Sequence, residues 1–387
     1  MDAPAPETVD TAAATTAGRA LMLVHTGTGR RAELTRRLGL TRTGGAKVLA
    51  ELEQAGLVEV DDRPAPSGSR GRPSHLVGPA RQAPLALAAS ISARRVAVAL
   101  VGLGGSVVAT ATSPTPATPD AAARLVATLA HTLVVDERRP LRTVGIAVAS
   151  AVDGDGRALA GHHLGWDTPV PVRQLVADAL DAVGIRVPVV AHNDADCAAL
   201  AEHRRGAGRN ARHLLYLTSG DRGIGGALVT NGLPYRGHAG TGSELTHLTV
   251  DPRGRPCHCG NRGCLDVEAD ATALVHPATP ALGELDRAAR RVIVSDAPAD
   301  RDAVARVTAH LATALVGLVN ILNPDLVILA GLPGELLRAG AGSLAEQVRA
   351  RTLLRTAPLT TATLDDAILL GAAEYAFDPL LRDPLGS

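Results

Sequence analysis

Pro256-Cys257-His258-Cys259-Gly260-Asn261-Arg262-Gly263-Cys264-Leu265-Asp266-Val267-Glu268 holds three of the chain's four cysteines. His247 precedes Cys257 by a gap of nine residues, and Glu244 lies just upstream. One His, then C-x-C, then a third Cys after four residues is a Cys3His set, the ligand count of a closed, tetrahedral structural zinc site. His247, Cys257, Cys259 and Cys264 are therefore the expected metal ligands, with Zn2+ in a structural role. Clustered thiols of this kind read as reduced ligands in a cytoplasmic protein, since four cysteines in a long chain make no disulfide scaffold. Cys197, outside the cluster, reads as a small buried hydrophobe on its helix.

Working outward, 387 residues with 46% hydrophobic content exceed one small core and point to two or three domains. Aromatics are 1%, so the cores must be aliphatic. Charge is zero overall but unevenly placed: residues 18–48 carry seven basic side chains against Glu33 alone, and residues 63–81 carry four arginines and no acid. Such local asymmetry is the footprint of a nucleic-acid surface. The sequence has neither a leader pattern nor an 18-residue apolar run, so no membrane association is expected.

Residues 1–17 lack periodicity and read as a disordered tail. Residues 18–82 read as a winged helix-turn-helix with its linker. Helical spacing runs over Arg19–His25 and Arg31–Leu38, Gly39-Leu40 turns the chain, and Thr41 is a good N-cap for a second helix ending at Gly56. Leu57–Val60 and Ser74–Val77 read as the strands of the wing. The second helix would offer Thr41, Arg42, Thr43 and Lys47 to DNA at its N-terminal end, where recognition helices meet base edges. Arg70 and Arg72, on the slim wing tip, suit a narrow minor groove. Gly44 and Gly45 each cost roughly 1 kcal/mol of helix propensity, which close backbone approach to a duplex would explain.

From Leu85 the texture becomes α/β. Strands are expected at Leu85–Ile91, Val96–Val101, Val107–Thr112, Thr143–Val148 and Val187–Ala191, with helices from Asp120, Val172 and Ala195. A second run of the same kind opens at Leu214–Leu217, continues through a Gly-rich stretch to Thr230, and ends in a long apolar helix to Leu322, the strand Leu326–Leu329, a glycine turn at Gly331 and a closing helix at Leu370–Phe377. Two related α/β lobes with a cleft between them follow: residues 83–192 with 371–387, and residues 193–370. Gly102-Leu103-Gly104-Gly105 reads as a hairpin turn. Trp166 either stacks on a ligand or packs in the core. His238 and His258 read as solvated loop residues, and His162-His163 as lying near the cleft.

The knot, together with Glu244-Leu245-Thr246-His247 and Asn193-Asp194-Ala195-Asp196, resembles the ROK family of repressors, open reading frames and sugar kinases. The N-terminal module, with Gly71-Arg72-Pro73 in its wing, resembles the winged helix of that family's repressor branch. The resemblance implies an actin/hexokinase-like, ribonuclease H-like two-lobed domain in which Asn193, Asp194, Glu244, His247 and Asp266 surround a sugar. Glu268 is the alternative to Asp266 as the pocket acid. In the family's kinases the residue matching Asp194 is the catalytic base, which accepts a hydroxyl proton during phosphoryl transfer.

The departures from the kinase pattern carry equal weight. Ser90-Ile91-Ser92-Ala93-Arg94 stands where the kinases have Asp-x-Gly-Gly-Thr, leaving no carboxylate for a metal and no glycine pair for phosphate. Thr218 to Gly225 is one residue longer than the second phosphate loop and contains Asp221. Ala149-Ser150-Ala151-Val152-Asp153 replaces the family's Pro-Gly-Pro-Val-Asp. The reading is a non-enzymatic regulator, a repressor of carbohydrate genes that binds operator DNA as a homodimer or homotetramer and answers to a sugar or sugar derivative. The alternative is an ATP-dependent sugar kinase with an added DNA-binding domain.

Overall fold

The computed structural model describes residues 15–61, 75–159, 161–220, 222–278, 280–340, 344–355 and 358–386. Most of the expected tail, the wing tip with Arg70 and Arg72, and Asp221 lie outside the described residues.

The N-terminal module comprises α1 (Thr16–His25), α2 (Arg31–Arg37), α3 (Arg42–Gln54) and the antiparallel pair β1 (Val58–Asp61) and β2 (Leu76–Pro79). Thr15 caps α1 by accepting from the Gly18 amide, and Ala17 is buried, so the last three residues of the expected tail belong to the helix and its cap. Thr41 caps α3 as its hydroxyl chemistry predicts, accepting from the Gly44 amide. Gly45 has a different role from the one its sequence suggested. A Cβ there would stand 2.5 Å from the Thr35 hydroxyl, so this glycine admits α2 rather than a duplex.

The first lobe is a five-stranded sheet of order β5-β4-β3-β6-β7, from β3 (Leu85–Ile91), β4 (Arg95–Gly102), β5 (Val107–Pro114), β6 (Leu141–Val148) and β7 (Val189–Asn193). Helices α4 (Pro119–Val134) and α5 (Val172–Ala182) bury their apolar stripes on one face. Strand β7 starts after Pro188, two residues later than expected, and runs to Asn193, which caps α6 (Asp194–Arg205).

The second lobe repeats this topology in the order β10-β9-β8-β11-β12. Its strands are β8 (His213–Ser219), β9 (Ile224–Thr230), β10 (Leu233–Pro234), β11 (Leu326–Leu329) and β12 (Leu359–Thr361). In both sheets three strands form an antiparallel meander, and two more add in parallel beside the first strand of the meander. Helices α7 (Leu265–Glu268), α8 (Ala271–Val275), α9 (Leu282–Ile293), α10 (Pro298–Leu322), α11 (Gly331–Arg338) and α12 (Leu344–Arg351) complete it. By length and composition alone α10 could cross a bilayer, but half of its most apolar window is buried in the lobe core. Gly331 opens α11 at φ +56, where a Cβ would meet the Ser219 hydroxyl.

The closing helix α13 (Ala367–Arg382) joins the parts. It lies on the open face of the first sheet, across α6, and under α1, so one apolar cluster runs from Leu21 and Leu52 of the N-terminal module to Ala88 of β3 and Phe377 of α13. At this junction the His25 ring is buried and shares a 2.9 Å hydrogen bond with Glu374, while the Gly104 amide donates to its Nδ1. Burial lowers the His25 pKa, with Arg205 and Arg204 adding to the effect of burial and Glu374 opposing it. Burial alone would raise the Glu374 carboxyl, but His25, Arg205 and Arg204 hold it well below the usual range.

Both shifts fix the same sign. Undocked, His25 regains its ordinary value of 6.5 and takes up a proton that the docked ring refuses, so stability falls as pH drops through 6.5. Glu374 adds a further loss as pH falls below its ordinary 4.5. Thermal melts from pH 7.5 downward should show the transition involving α1 moving to lower temperature; a flat profile to pH 5 would contradict this.

Candidate functional site

Strand β7 ends in His192-Asn193, and α6 begins there at the floor of the interlobe cleft. Asn193 caps α6, accepting from the amides of Ala195 (2.7 Å) and Asp196 (3.1 Å), and donates its own amide N–H to the Ser150 carbonyl at 3.0 Å. The loop after β6 is thus tied to the α6 N-terminus. His192 stacks on Tyr375 of α13, ring centroids 3.6 Å apart, and burial followed by Arg236 pushes its pKa down to about 3.

Opposite, Asp266 is carried by α7 directly after the last cysteine. It is nearly fully buried and accepts from the Ile224 amide at 2.9 Å. Asn193, Asp194, Glu244, His247 and Asp266 all line one cavity of about 340 Å³, along with Thr246 and Ser150. That is the size range of a small-ligand pocket. Glu244 keeps solvent access through the cleft mouth while protein crowds its carboxyl from the other sides. This burial, then Asp194 and Asp266, pushes its pKa up to about 7. Asp196, beneath the cavity, is also raised to about 7, chiefly by burial. Glu268 faces the other way, taking the Arg255 amide at 2.5 Å behind the knot. Of the two acids left open by the sequence, only Asp266 reaches the pocket.

The four expected metal ligands converge. Ligand atoms of His247, Cys257, Cys259 and Cys264 all lie within 4.8 Å of one another. Cys257 Sγ is 3.6 Å from His247 Nδ1, and Cys259 Sγ is 3.7 Å from Cys264 Sγ. Metal–N and metal–S bonds of about 2.0–2.3 Å in a tetrahedron give ligand–ligand edges of about 3.6–3.8 Å, so the donor set fits such an ion. Cys257 and Cys264 are buried and Cys259 is exposed. Thr41, Arg42, Thr43 and Lys47 are all exposed along the N-terminal end and outer face of α3.

Several lining residues had no role in the sequence reading. His258 is an exposed loop residue, as expected, and also stands 3.5 Å from Asp266 and against His163 and His162 at the cavity wall. Asp266 draws it in, and with His247 and Cys257 the two form a second group able to hold a cation. Arg94, Arg95, Arg222 and Arg290 also line this cavity. A second cavity of about 460 Å³ continues beyond it past Ser90, Arg95 and Gly331. No spacing rule flags arginines on separate turns as lining one cavity; only the fold assembles them. Trp166 is buried in the first-lobe core beside Gly161 and does not line the cavity, so packing is its role.

Comparison with known proteins bears on this geometry directly. Residues 87–377 match the ROK family. The chain belongs to the ROK family. It is 36% identical over 163 residues to the glucokinase of Halalkalibacterium halodurans, covering 38% of this chain and 49% of the relative. It is 30% identical over 202 residues to a putative xylose repressor of Caldicellulosiruptor, covering 48% and 49%. The chain thus spans about half the length of each of these curated relatives. A solved ROK family transcriptional regulator, described as a homolog of the E. coli MLC protein, superposes with a TM-score of 0.72 at 22% identity over 95% of this chain and 96% of the other. That likeness extends the shared fold beyond the ROK domain to the N-terminal module.

Proposed function

We propose that this ROK protein is a sequence-specific DNA-binding transcriptional regulator, a repressor of carbohydrate genes whose effector is a sugar or sugar derivative held between the lobes. The observation that carries the reading is the docked N-terminal module, with Arg42 and Lys47 exposed on a capped α3 and α1 fused into the core of the first lobe. A helix-turn-helix reads DNA through the N-terminal half of its second helix, and Thr41, Arg42, Thr43 and Lys47 sit there. Arg70 and Arg72 of the wing would add minor-groove contacts. Asn193, Asp194, Glu244, His247 and Asp266 supply the donors and acceptors that sugar hydroxyls need.

Zinc is the ion we assign to His247, Cys257, Cys259 and Cys264. It holds Asp266 and Glu244 in register and takes no part in chemistry. Helix-turn-helix regulators read paired half-sites, so a homodimer or homotetramer in the cytoplasm completes the picture. Adjacent exposed Ile321, Leu353 and Leu354 offer an apolar surface for self-association.

The second reading, a sugar kinase, is favoured by Asp194 in the cavity and by the glucokinase relative. Against it, Ser92, Ala93 and Arg94 line the place where the kinases handle metal and phosphate. One experiment separates the two. Selection of genomic fragments by the purified protein should yield a defined operator, bound in a salt-dependent way and lost in Arg42→Ala/Arg70→Ala/Arg72→Ala. The same preparation should turn over no ATP with a hexose panel. Robust turnover abolished by Asp194→Asn, with no operator recovered, would overturn the regulator reading.

A further inference from the structure

Helix α6 touches the cavity at one end and the N-terminal module at the other. Twelve residues span about 18 Å at 1.5 Å per residue. At the N-terminus, Asn193 and Asp194 line the cavity, and the Asn193 amide holds the Ser150 carbonyl of the neighbouring loop after β6. At the C-terminus, Arg204 and Arg205 are held in a largely buried cluster. Arg204 donates to Glu374 at 3.0 Å and to Asp378 at 2.9 Å. Arg205 donates through Nε to Glu374 at 2.5 Å, and through one terminal nitrogen to the carbonyls of His25 (3.0 Å) and Gly104 (2.7 Å). Its other terminal nitrogen lies 2.6 Å from His25 Nε2. Just beyond the helix, Arg209 donates to the Thr26 carbonyl at 2.7 Å.

The carbonyls of His25 and Thr26 are the unsatisfied acceptors at the C-terminal end of α1, and arginines suit them for that reason. The result is a bonded route in which every link is named: Ser150, Asn193, α6, Arg205, His25, α1. Gly371 of α13 lets the Cys197 carbonyl come so close that a Cβ would overlap it, so the first turn of α6 is pinned against α13. A helix held this way moves as a unit, and a displacement at Asn193 reappears at Arg205.

We propose that α6 is a strut through which the state of the cleft sets the docking of the N-terminal module. Closure around a ligand moves Asn193 and Asp194, and Arg205 carries that motion to the carbonyl end of α1. The two-state element is the His25–Glu374–Arg205 cluster, which is either closed, as here, or parted. This deepens the proposed function and rests on it for the meaning of the two ends; the mechanical claim is testable without any ligand.

The test uses the full chain and amide hydrogen exchange. Asn193→Asp keeps the α6 cap but loses the donor to Ser150. Exchange at residues 18–28, in α1 and the turn after it, should rise about tenfold in this variant although no contact of α1 has been altered. Arg205→Ala should loosen the same segment, and the double variant should match Arg205→Ala alone, because both act on one route. Arg209→Lys, at the surface, guards against misfolding of the buried variant and should give a smaller change in the same direction. With D-glucose as probe, any effect of the sugar on operator affinity in the parent should fall to near onefold in Arg205→Ala while sugar binding is kept. Unchanged exchange at residues 18–28 in Asn193→Asp, or additive effects in the double variant, would overturn the strut. Absence of any sugar effect in the parent, with the exchange result intact, would count against the effector reading alone.

Discussion

Stripping the metal from the knot, by chelation or by Cys264→Ser, should lower the melting temperature by about 10 °C or more and open the cleft at once. Cys264 is fully buried and begins α7, followed by Leu265 in the second-lobe core and Asp266 in the pocket wall. The segment from His247 to Glu268 has few apolar side chains to hold it. Its Gly263 packs directly on the Asp251 carbonyl, where no side chain would fit, and Arg255 braces Glu268 and Asp270 from outside. Without an ion, two buried thiols and a histidine face one another with nothing to organise them. The Ile224 amide, which donates to Asp266 Oδ1, then loses its partner. Atomic emission should find about one zinc per chain, and exchange protection at Ile224 should vanish together with the metal. Cys197→Ser is the control: it is buried in α6, far from the knot in sequence, and should leave metal content unchanged. A metal-free protein with its melting temperature and Ile224 protection intact would mean the Arg255 bracing suffices alone.

The knot could be read from sequence because metal chemistry dictates both residue type and spacing. Cys257, Cys259 and Cys264 are close along the chain, and His247 is one short loop away. The two lobes were legible for a related reason, since apolar runs such as Leu85–Ile91 and Leu214–Leu217 are buried on both faces and read as continuous strands. What escaped were relations between distant segments. His25 reads as the last residue of an ordinary helix, yet it is fully enclosed by Glu374, Arg205 and Gly104, none within 75 residues of it. His258 reads as a solvated loop residue and is exposed, but its neighbours in space, Asp266, His163 and His247, come together only in the fold. Gly45 illustrates the same limit at short range. Its conformation is plain α-helix, and only the Thr35 side chain of the crossing helix explains why no Cβ is present.

Gly371→Ala should destabilise the protein by about 3 kcal/mol or more, against the direction that helix propensity alone demands. Gly371 lies inside α13, where exchanging Gly for Ala ordinarily gains roughly 1 kcal/mol. Here the added Cβ would sit 1.7 Å from the Cys197 carbonyl oxygen of α6. The obstacle is backbone on both sides, so no rotamer change relieves it and the helices must part. A Cβ on Gly145 of β6 would likewise stand 1.9 Å from the Ala372 carbonyl oxygen, so α13 is clamped on two sides by contacts that only glycine permits. A chain with 1% aromatics cannot fill wide gaps, and it compensates by bringing backbones together at Gly and Ala. Gly317→Ala supplies the opposing case. It too is interior to a helix, α10, but its Cβ would meet only the Leu248 side chain at 3.8 Å. That substitution should raise stability by about 0.5–1 kcal/mol. Urea titrations of the two variants should therefore move in opposite directions; a stabilised or neutral Gly371→Ala would mean that α13 can lift from α6 at little cost, and the rigid crossing that locks the strut would be lost with it.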